Sequence, residues 1–326
     1  MVPIESVVFD KALIENIPFG AINLSIHNGY SIWGENENGN RLLEIVLKLI
    51  QNSNDMGIVL CSILRQVIVT CDISILVKEL GNQLNEPWRV SSDGVIGQAL
   101  FWGDGTIEST FGVIIISQDI AVDLISENSG VKDLALGLLI HELAHIHDYF
   151  YYLINYGPNP TPTQDDWASH RLFFARSLWG EYFAESVAYP YLKTISFQHN
   201  IDLSVRLIEN GVKQIKNEIF AFGSHKIVAK VWAKAEFELS SVFNQLGRSL
   251  ALLVSDKMIT GNEDIINHFL FEIYSISSDW EQIIRNLLIV LETSEQKLDQ
   301  RIIDSIGEQV DNAFRIVGLE PYKNKS

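Results

Sequence analysis

Residues 141–148 read His-Glu-Leu-Ala-His-Ile-His-Asp, and this stretch is the most informative part of the chain. Apolar residues precede it and an aromatic run follows it at residues 149–152. No proline or asparagine interrupts the sequence between Leu134 and Leu153, and the apolar residues recur at helical spacing. The stretch therefore predicts a buried helix that carries the pattern His-x-x-x-His.

Two histidines four residues apart lie one turn apart on the same face of a helix. His141 and His145 can therefore direct two imidazoles at one metal ion. Glu142 points away from the helix face that carries the two histidines, so its carboxylate can act on a metal-bound water molecule without taking a coordination position. Two ligands, a general base and an open position are the parts of a zinc hydrolase. The plainer alternative is that both histidines are core residues bonded to backbone carbonyls or carboxylates.

A tetrahedral zinc ion with one water needs a third protein ligand. His147 lies two residues after His145 and points to another side of the helix. A metzincin would have glycine at position 148 and histidine at position 151, but this chain has Asp148 and Tyr151 there. The metzincin class is therefore excluded, and a third ligand is sought first in the residues further along the chain.

A second predicted helix begins near Asp165 and ends at Pro190, because proline disrupts helical hydrogen bonding. It places Glu181 and Glu185 one turn apart. Most carboxylates at this spacing lie on a solvated helix face, and that alternative stays open here. Apolar residues nevertheless surround this pair: Trp179, Tyr182, Phe183, Val187 and Ala188. A carboxylate among such residues is costly unless it is paired or bound to a metal.

The two helices together resemble those of the gluzincins, the thermolysin-like zinc peptidases. These enzymes carry HExxH on one helix and Glu-x-x-x-Asp on a following helix. The resemblance covers residues 110–190 and implies that His141, His145 and Glu181 hold one zinc ion per chain. Glu185 stands where the family more often has aspartate, and it would accept the outer N–H of His141. The reverse assignment, with Glu185 as ligand and Glu181 as its support, stays open.

The same resemblance implies a zinc metallopeptidase that acts on a peptide or protein substrate. Glu142 would take a proton from the attacking water and pass it to the leaving amine. If both carboxylates lay on a solvated face, His147 or Asp148 would be the next candidates for the third ligand. A different class of function is a helical interaction or regulatory protein that retains zinc without proteolysis. Its partner surface would be formed by the predicted helices from Asp202 onward.

Gluzincins also use a tyrosine or histidine from beyond the third ligand to stabilise the oxyanion. Four residues qualify here by their order in the chain, although a structural role is the alternative for each: Tyr189, Tyr191, His199 and His225. The polar, proline-rich segment 157–166 lies between the two metal helices. It is expected to be either a lid over the cleft or an ordinary surface loop.

Composition restricts the class of partner. The 326 residues carry a net charge of −17, so the phosphate backbone of nucleic acid would be repelled. No apolar run is long enough to span a bilayer, and the first residues do not read as a signal peptide. We therefore expect a cytoplasmic protein in which Cys61 and Cys71 are buried, reduced thiols. The sequence leaves the oligomeric state open.

The predicted secondary structure changes in type once along the chain. Strands are predicted at residues 20–26, 66–73, 98–102 and 111–117, and only helices follow residue 119. We predict an α+β, zincin-like fold with three parts: a small α/β part at 1–118, a helical metal-binding core at 119–195, and a helical domain at 196–326. In such folds a sheet edge pairs with the extended substrate, and the strand at 112–117 could be that edge. Its apolar run fits a fully buried central strand equally well.

Overall fold

The computed structural model describes residues 22–27, 36–52, 60, 63–84, 97–102, 106, 109–158, 166–192, 197–222, 228–294 and 297–320. The chain divides into two compact units. One consists of Met1–Pro158 with Pro190–Thr194, and the other of Asn159–Tyr189 with Ile195–Ser326. The division into three parts predicted from the sequence stays a prediction.

Within its described residues, the first unit contains four strands and four helices. The strands are β1 (Asn23–His27), β2 (Leu64–Thr70), β3 (Gly97–Trp102) and β4 (Phe111–Ser117). The helices are α1 (Asn36–Gln51), α2 (Ile73–Leu84), α3 (Gln118–Ile125) and α4 (Ser129–Tyr156). Each predicted strand therefore has a counterpart, with ends shifted by a few residues.

The four strands form one sheet in the order β1–β2–β4–β3. β1, β2 and β4 run parallel, whereas β3 runs antiparallel to β4. Because β4 is hydrogen-bonded on both sides, the expectation that residues 112–117 form a substrate edge is wrong. The alternative, a buried central strand, is confirmed. Among the described residues, β3 is the edge strand next to β4.

Apolar side chains cover both faces of this sheet. Val67 and Ile114 belong to a buried cluster that also includes residues of α1, α3 and α4. Ile68 and Ile115 point to the opposite face, where they join residues of α2. Alternate residues of one strand point to opposite faces, so a continuous apolar run marks a strand buried on both sides.

Helix α4 carries residues 141–148. It begins after Asn128, whose side chain accepts a hydrogen bond from the Gly130 N–H, and it ends at Gly157, which has a φ of 86°. Such a positive φ is easily adopted only by glycine, which explains why the helix stops there. The helix packs against α3, β3 and β4. This packing holds the His-x-x-x-His segment next to the antiparallel end of the sheet.

Every secondary-structure element among the described residues of the second unit is a helix. Its helices are α5 (Trp167–Leu192, whose last residues group with the first unit), α6 (Phe197–Phe222), α7 (Val228–Thr260), α8 (Asp264–Ile276), α9 (Ser278–Thr293) and α10 (Gln300–Ile316). The expectation that α5 stops at Pro190 is wrong by two residues. Pro190 lies inside the helix, which continues for two more residues although proline cannot donate a backbone hydrogen bond.

Sequence periodicity predicts one helix over residues 264–293, whereas the structure has two. Ser277 separates them with an extended backbone, at φ −163° and ψ 121°. Its N–H donates to the carbonyl of Ile273, which ends α8. Its hydroxyl accepts from the N–H of Trp280, which begins α9. One serine thus caps two helices, and a hydrophobic pattern that continues across it conceals the break.

The architecture confirms a mixed α/β protein that is mainly helical and has a small four-stranded sheet. Cys71 is exposed, contrary to the expectation of a buried thiol, because it lies just beyond the end of β2. Its Sγ is 3.4 Å from Oε1 of Gln118. Cys61 lies outside the described residues. Nowhere in the described part of the chain does a helix combine the length and the apolar character needed to cross a membrane.

Candidate metal centre

His141 and His145 lie one turn apart on α4, as their spacing predicts. Their Nε2 atoms are 3.0 Å apart, and the rings are nearly perpendicular, at 82°. The His141 residue is 6% exposed, whereas His145 is partly exposed. The helix thus directs the same nitrogen of both rings to one point. At this distance the two rings also hydrogen-bond directly if one Nε2 carries a proton.

Glu142 lies against the first residue of the edge strand. A Cβ atom at Gly97 would lie 3.1 Å from Cγ of Glu142 and 3.2 Å from its Oε1. These distances are shorter than ordinary van der Waals contacts, so a larger residue at position 97 would displace the carboxylate. The missing side chain therefore makes room for Glu142 beside β3. The carboxylate lies next to β3, which is an edge strand of the sheet among the described residues.

Glu181 and Glu185 do not form a solvated face, so that alternative is wrong. The Glu181 side chain is 12% exposed, and the Glu185 residue is 7% exposed. Trp179 and Tyr182 on the same helix are 0% and 2% exposed, which confirms that α5 is apolar around much of its circumference. Nε of Arg248 donates to Oε2 of Glu181 over 2.6 Å. This ion pair offsets part of the cost of burying the carboxylate.

His141, His145 and Glu181 form one group. Each offers a ligand atom, and these atoms all lie within 4.8 Å of one another. In the part of the chain that the structure describes, it is the one group of at least three such residues close enough to share a metal ion. Glu185 does not belong to it, and neither do the fallback candidates His147 and Asp148. The three side chains could hold a metal ion.

The predicted stabilisers of the oxyanion are placed as follows. The Tyr189 hydroxyl donates to Oδ1 of Asp256 over 3.0 Å. Burial, followed by this hydrogen bond and the negative charge of Asp256, raises the pKa of Tyr189 to about 12. Its hydroxyl is thus committed to a neighbour on α7. Tyr191 is 37% exposed near the end of α5, and His199 is exposed at the start of α6.

His225 and most of the segment 157–166 lie outside the described residues, so the oxyanion and lid predictions made on them stay predictions.

Sequence reasoning missed Arg248. Its partner Glu181 is 67 residues away, and an arginine on an amphipathic helix usually faces solvent. One signal was nevertheless available in the sequence. Gly247, the preceding residue, lies in the interior of a helix of 33 residues, where glycine is unfavourable. A glycine in such a position often marks a close approach of two backbones.

The two carboxylates of α5 can be compared by single substitutions. We expect Glu181→Gln to weaken metal binding most, because it removes a charged ligand. Glu185→Gln should lower zinc affinity by roughly ten- to a hundredfold if this residue supports His141. Competitive titration with a zinc chelator measures both affinities. Greater zinc loss in Glu185→Gln than in Glu181→Gln would reverse the assignment, and no change in either would exclude both residues.

No protein-family model matches this chain, and comparison with curated proteins and with solved structures yields no significant match either.

Proposed function

We propose that this chain is a zinc-dependent metallopeptidase of gluzincin type that hydrolyses peptide bonds in a peptide or protein substrate. The observation that carries the proposal is the group formed by His141, His145 and Glu181, with ligand atoms within 4.8 Å of one another. Glu142 adjoins this group in sequence and does not belong to it, which leaves its carboxylate to act as a base.

The donor set fits zinc. Two histidines and one glutamate are a known ligand set of catalytic zinc sites, in which a fourth position stays open. Two nitrogens bound to a tetrahedral zinc ion at about 2.0–2.1 Å would lie about 3.3 Å apart. The Nε2 atoms of His141 and His145 are 3.0 Å apart, so a small adjustment of either ring satisfies this geometry. His141, His145 and Glu181 would hold the ion.

When bound, zinc would polarise the scissile carbonyl and make water more acidic. Glu142 would remove a proton from the attacking water and deliver it to the leaving amine. Its position beside Gly97 supports this role, because the missing side chain at that residue leaves room for the carboxylate next to β3.

Among the described residues β3 is an edge strand, and in this proposal it offers a binding surface for an extended substrate. β4 pairs with one side of β3 from Gly97 to Trp102. An extended peptide can add to the other side of such a strand through main-chain hydrogen bonds. Gly97 lies at the end of β3 next to Glu142, so a peptide added there would run toward the general base. We propose that β3, and not β4, receives the substrate backbone.

A metal-removal experiment on the unmodified protein tests the proposed function. We expect purified protein to contain about one zinc ion per chain. We also expect it to cleave members of a mixed peptide library, with products identified by mass spectrometry. A chelator should abolish this cleavage, and stoichiometric zinc should restore it. A protein that binds no zinc, or whose cleavage persists after complete metal removal, would contradict the proposal.

A second candidate is a non-proteolytic interaction protein that retains the zinc site. The observation in its favour is the exposure of Phe271 and Tyr274 on one face of α8, at 67% and 61%. Large exposed apolar side chains close together are common at protein–protein contacts. The metal-removal experiment also distinguishes the two functions. A non-proteolytic interaction protein would bind zinc but would cleave no peptide even when it is saturated with zinc.

A further inference from the structure

Gly247 brings helix α7 unusually close to α5. A Cβ atom at position 247 would lie 2.5 Å from the carbonyl oxygen of Leu178, 2.9 Å from Cβ of Glu181 and 3.1 Å from the backbone N of Tyr182. Two of these neighbours are backbone atoms, which cannot move away as a flexible side chain could. Any residue larger than glycine would therefore push the two helices apart.

This close approach occurs at Glu181. Arg248 follows Gly247 directly, and its Nε donates to Oε2 of Glu181 over 2.6 Å. The Arg248 side chain is 42% exposed, whereas that of Glu181 is 12% exposed. The pair therefore joins a partly solvated guanidinium to a largely buried carboxylate. A charge-assisted contact of this kind restricts the carboxylate more than it stabilises the fold.

We infer that Arg248 is a positioning residue for the metal ligand Glu181, an inference that rests on the proposed function. It assigns different tasks to the two oxygens of the carboxylate. Oε2 receives the guanidinium N–H, and in this inference Oε1 is the oxygen that would bind the metal ion. Gly247 is required because it lets Arg248 reach a carboxylate on the neighbouring helix. The Gly247–Arg248 pair thus fixes the rotation of Glu181.

Two effects of Arg248 on metal binding oppose each other. Its positive charge repels a divalent cation, although its exposure to water screens this repulsion. Its hydrogen bond orders Glu181, which lowers the entropic cost of forming the site. Groups that orient metal ligands typically contribute ten- to a hundredfold to affinity. If positioning dominates, removal of Arg248 weakens metal binding, whereas removal strengthens binding if repulsion dominates.

Zinc and cobalt titrations of Arg248→Gln test the inference. We expect the zinc affinity, measured by chelator competition, to fall by roughly tenfold or more. Arg248→Lys keeps the charge but lacks the planar guanidinium, so its affinity should lie between those of wild type and Arg248→Gln. The visible absorption of the bound Co²⁺ should also change in Arg248→Gln, because the geometry of the ligand set is less well fixed.

The matched control is Arg285→Gln. Arg285 also pairs with a glutamate on a helix of the same unit, Glu281, but neither residue belongs to the metal group. Its zinc affinity should equal that of the wild type. Thermal unfolding of the metal-free proteins shows whether each variant is folded. If Arg248→Gln does not fold, the comparison of Arg248→Lys with wild type decides the question.

The experiments distinguish a failure of the proposed function from a failure of the inference about Arg248. A wild-type protein that binds neither zinc nor cobalt would overturn the proposed function and this inference with it. A wild type that binds zinc, together with a folded Arg248→Gln of equal or higher affinity, would overturn only the inference. If Arg248→Gln is unfolded, an Arg248→Lys with wild-type affinity would also overturn it.

Discussion

Replacement of His145 by alanine is expected to remove the zinc, lowering its content from about one ion per chain to nearly none. The substitution deletes one of three protein ligands. Its Nε2 lies 3.0 Å from that of His141, so the two nitrogens face one point and the substitution removes half of the imidazole ligands. A single remaining imidazole and a glutamate form a weak site for a borderline metal ion such as zinc. Elemental analysis of purified protein after dialysis measures the effect.

His268→Ala provides the matched control for this experiment. His268 is exposed on α8 and does not belong to the metal group. Its removal should leave the zinc content unchanged. Circular dichroism of both variants should match that of the wild type if each substitution affects only the metal site or the surface. Full retention of zinc by His145→Ala would refute the proposed metal centre.

Glu142→Gln is expected to abolish peptide hydrolysis while the protein keeps its zinc. Glutamine has nearly the same shape as glutamate, so it fits beside Gly97, but it cannot accept a proton from water. General base catalysis typically contributes 10²–10⁴-fold, and we expect a fall in kcat of about this size. Initial rates on a cleaved peptide from the library measure the loss, and metal analysis shows whether the zinc remains.

Glu127→Gln is the corresponding control, because Glu127 is exposed and precedes α4. Its hydrolysis rate should equal that of the wild type. A Glu142→Gln variant as active as the wild type would exclude Glu142 as the base. If Glu142→Gln instead loses its zinc, the residue acts as a ligand, and the division of roles on α4 must be revised.

The local features of this protein were predictable from its sequence. His-x-x-x-His on an apolar helix fixes the relative positions of two side chains, because helix geometry alone places them on one face. The strands also followed from local patterns of β-branched and aromatic residues. The apolar surroundings of Glu181 indicated that its carboxylate would be buried. These inferences depend on residues within about two helical turns of one another.

The features that were missed depend on distant residues. The apolar run of β4 fits an edge or a central strand, and only the pairing of β4 with both β2 and β3 decides between them. The ion pair of Glu181 joins residues 67 positions apart. The break at Ser277 was concealed because its two hydrogen bonds act at ends of helices whose hydrophobic periodicity continues. A side chain that hydrogen-bonds the backbone can interrupt a helix even where the hydrophobic pattern continues, and Ser277 does so here.

The shared cap at Ser277 also has a consequence for how the length of this chain can vary. α8 ends at Ile276 and α9 begins at Ser278, so a single residue connects them. Inserted residues are tolerated where a loop can lengthen at the surface, since the entropic cost grows slowly with loop length. No such loop exists between these two helices, and Trp280, which is fully buried, follows the cap by three residues. Insertions and deletions among natural variants should therefore avoid this corner and fall instead at connections such as Gly261, where the backbone is exposed.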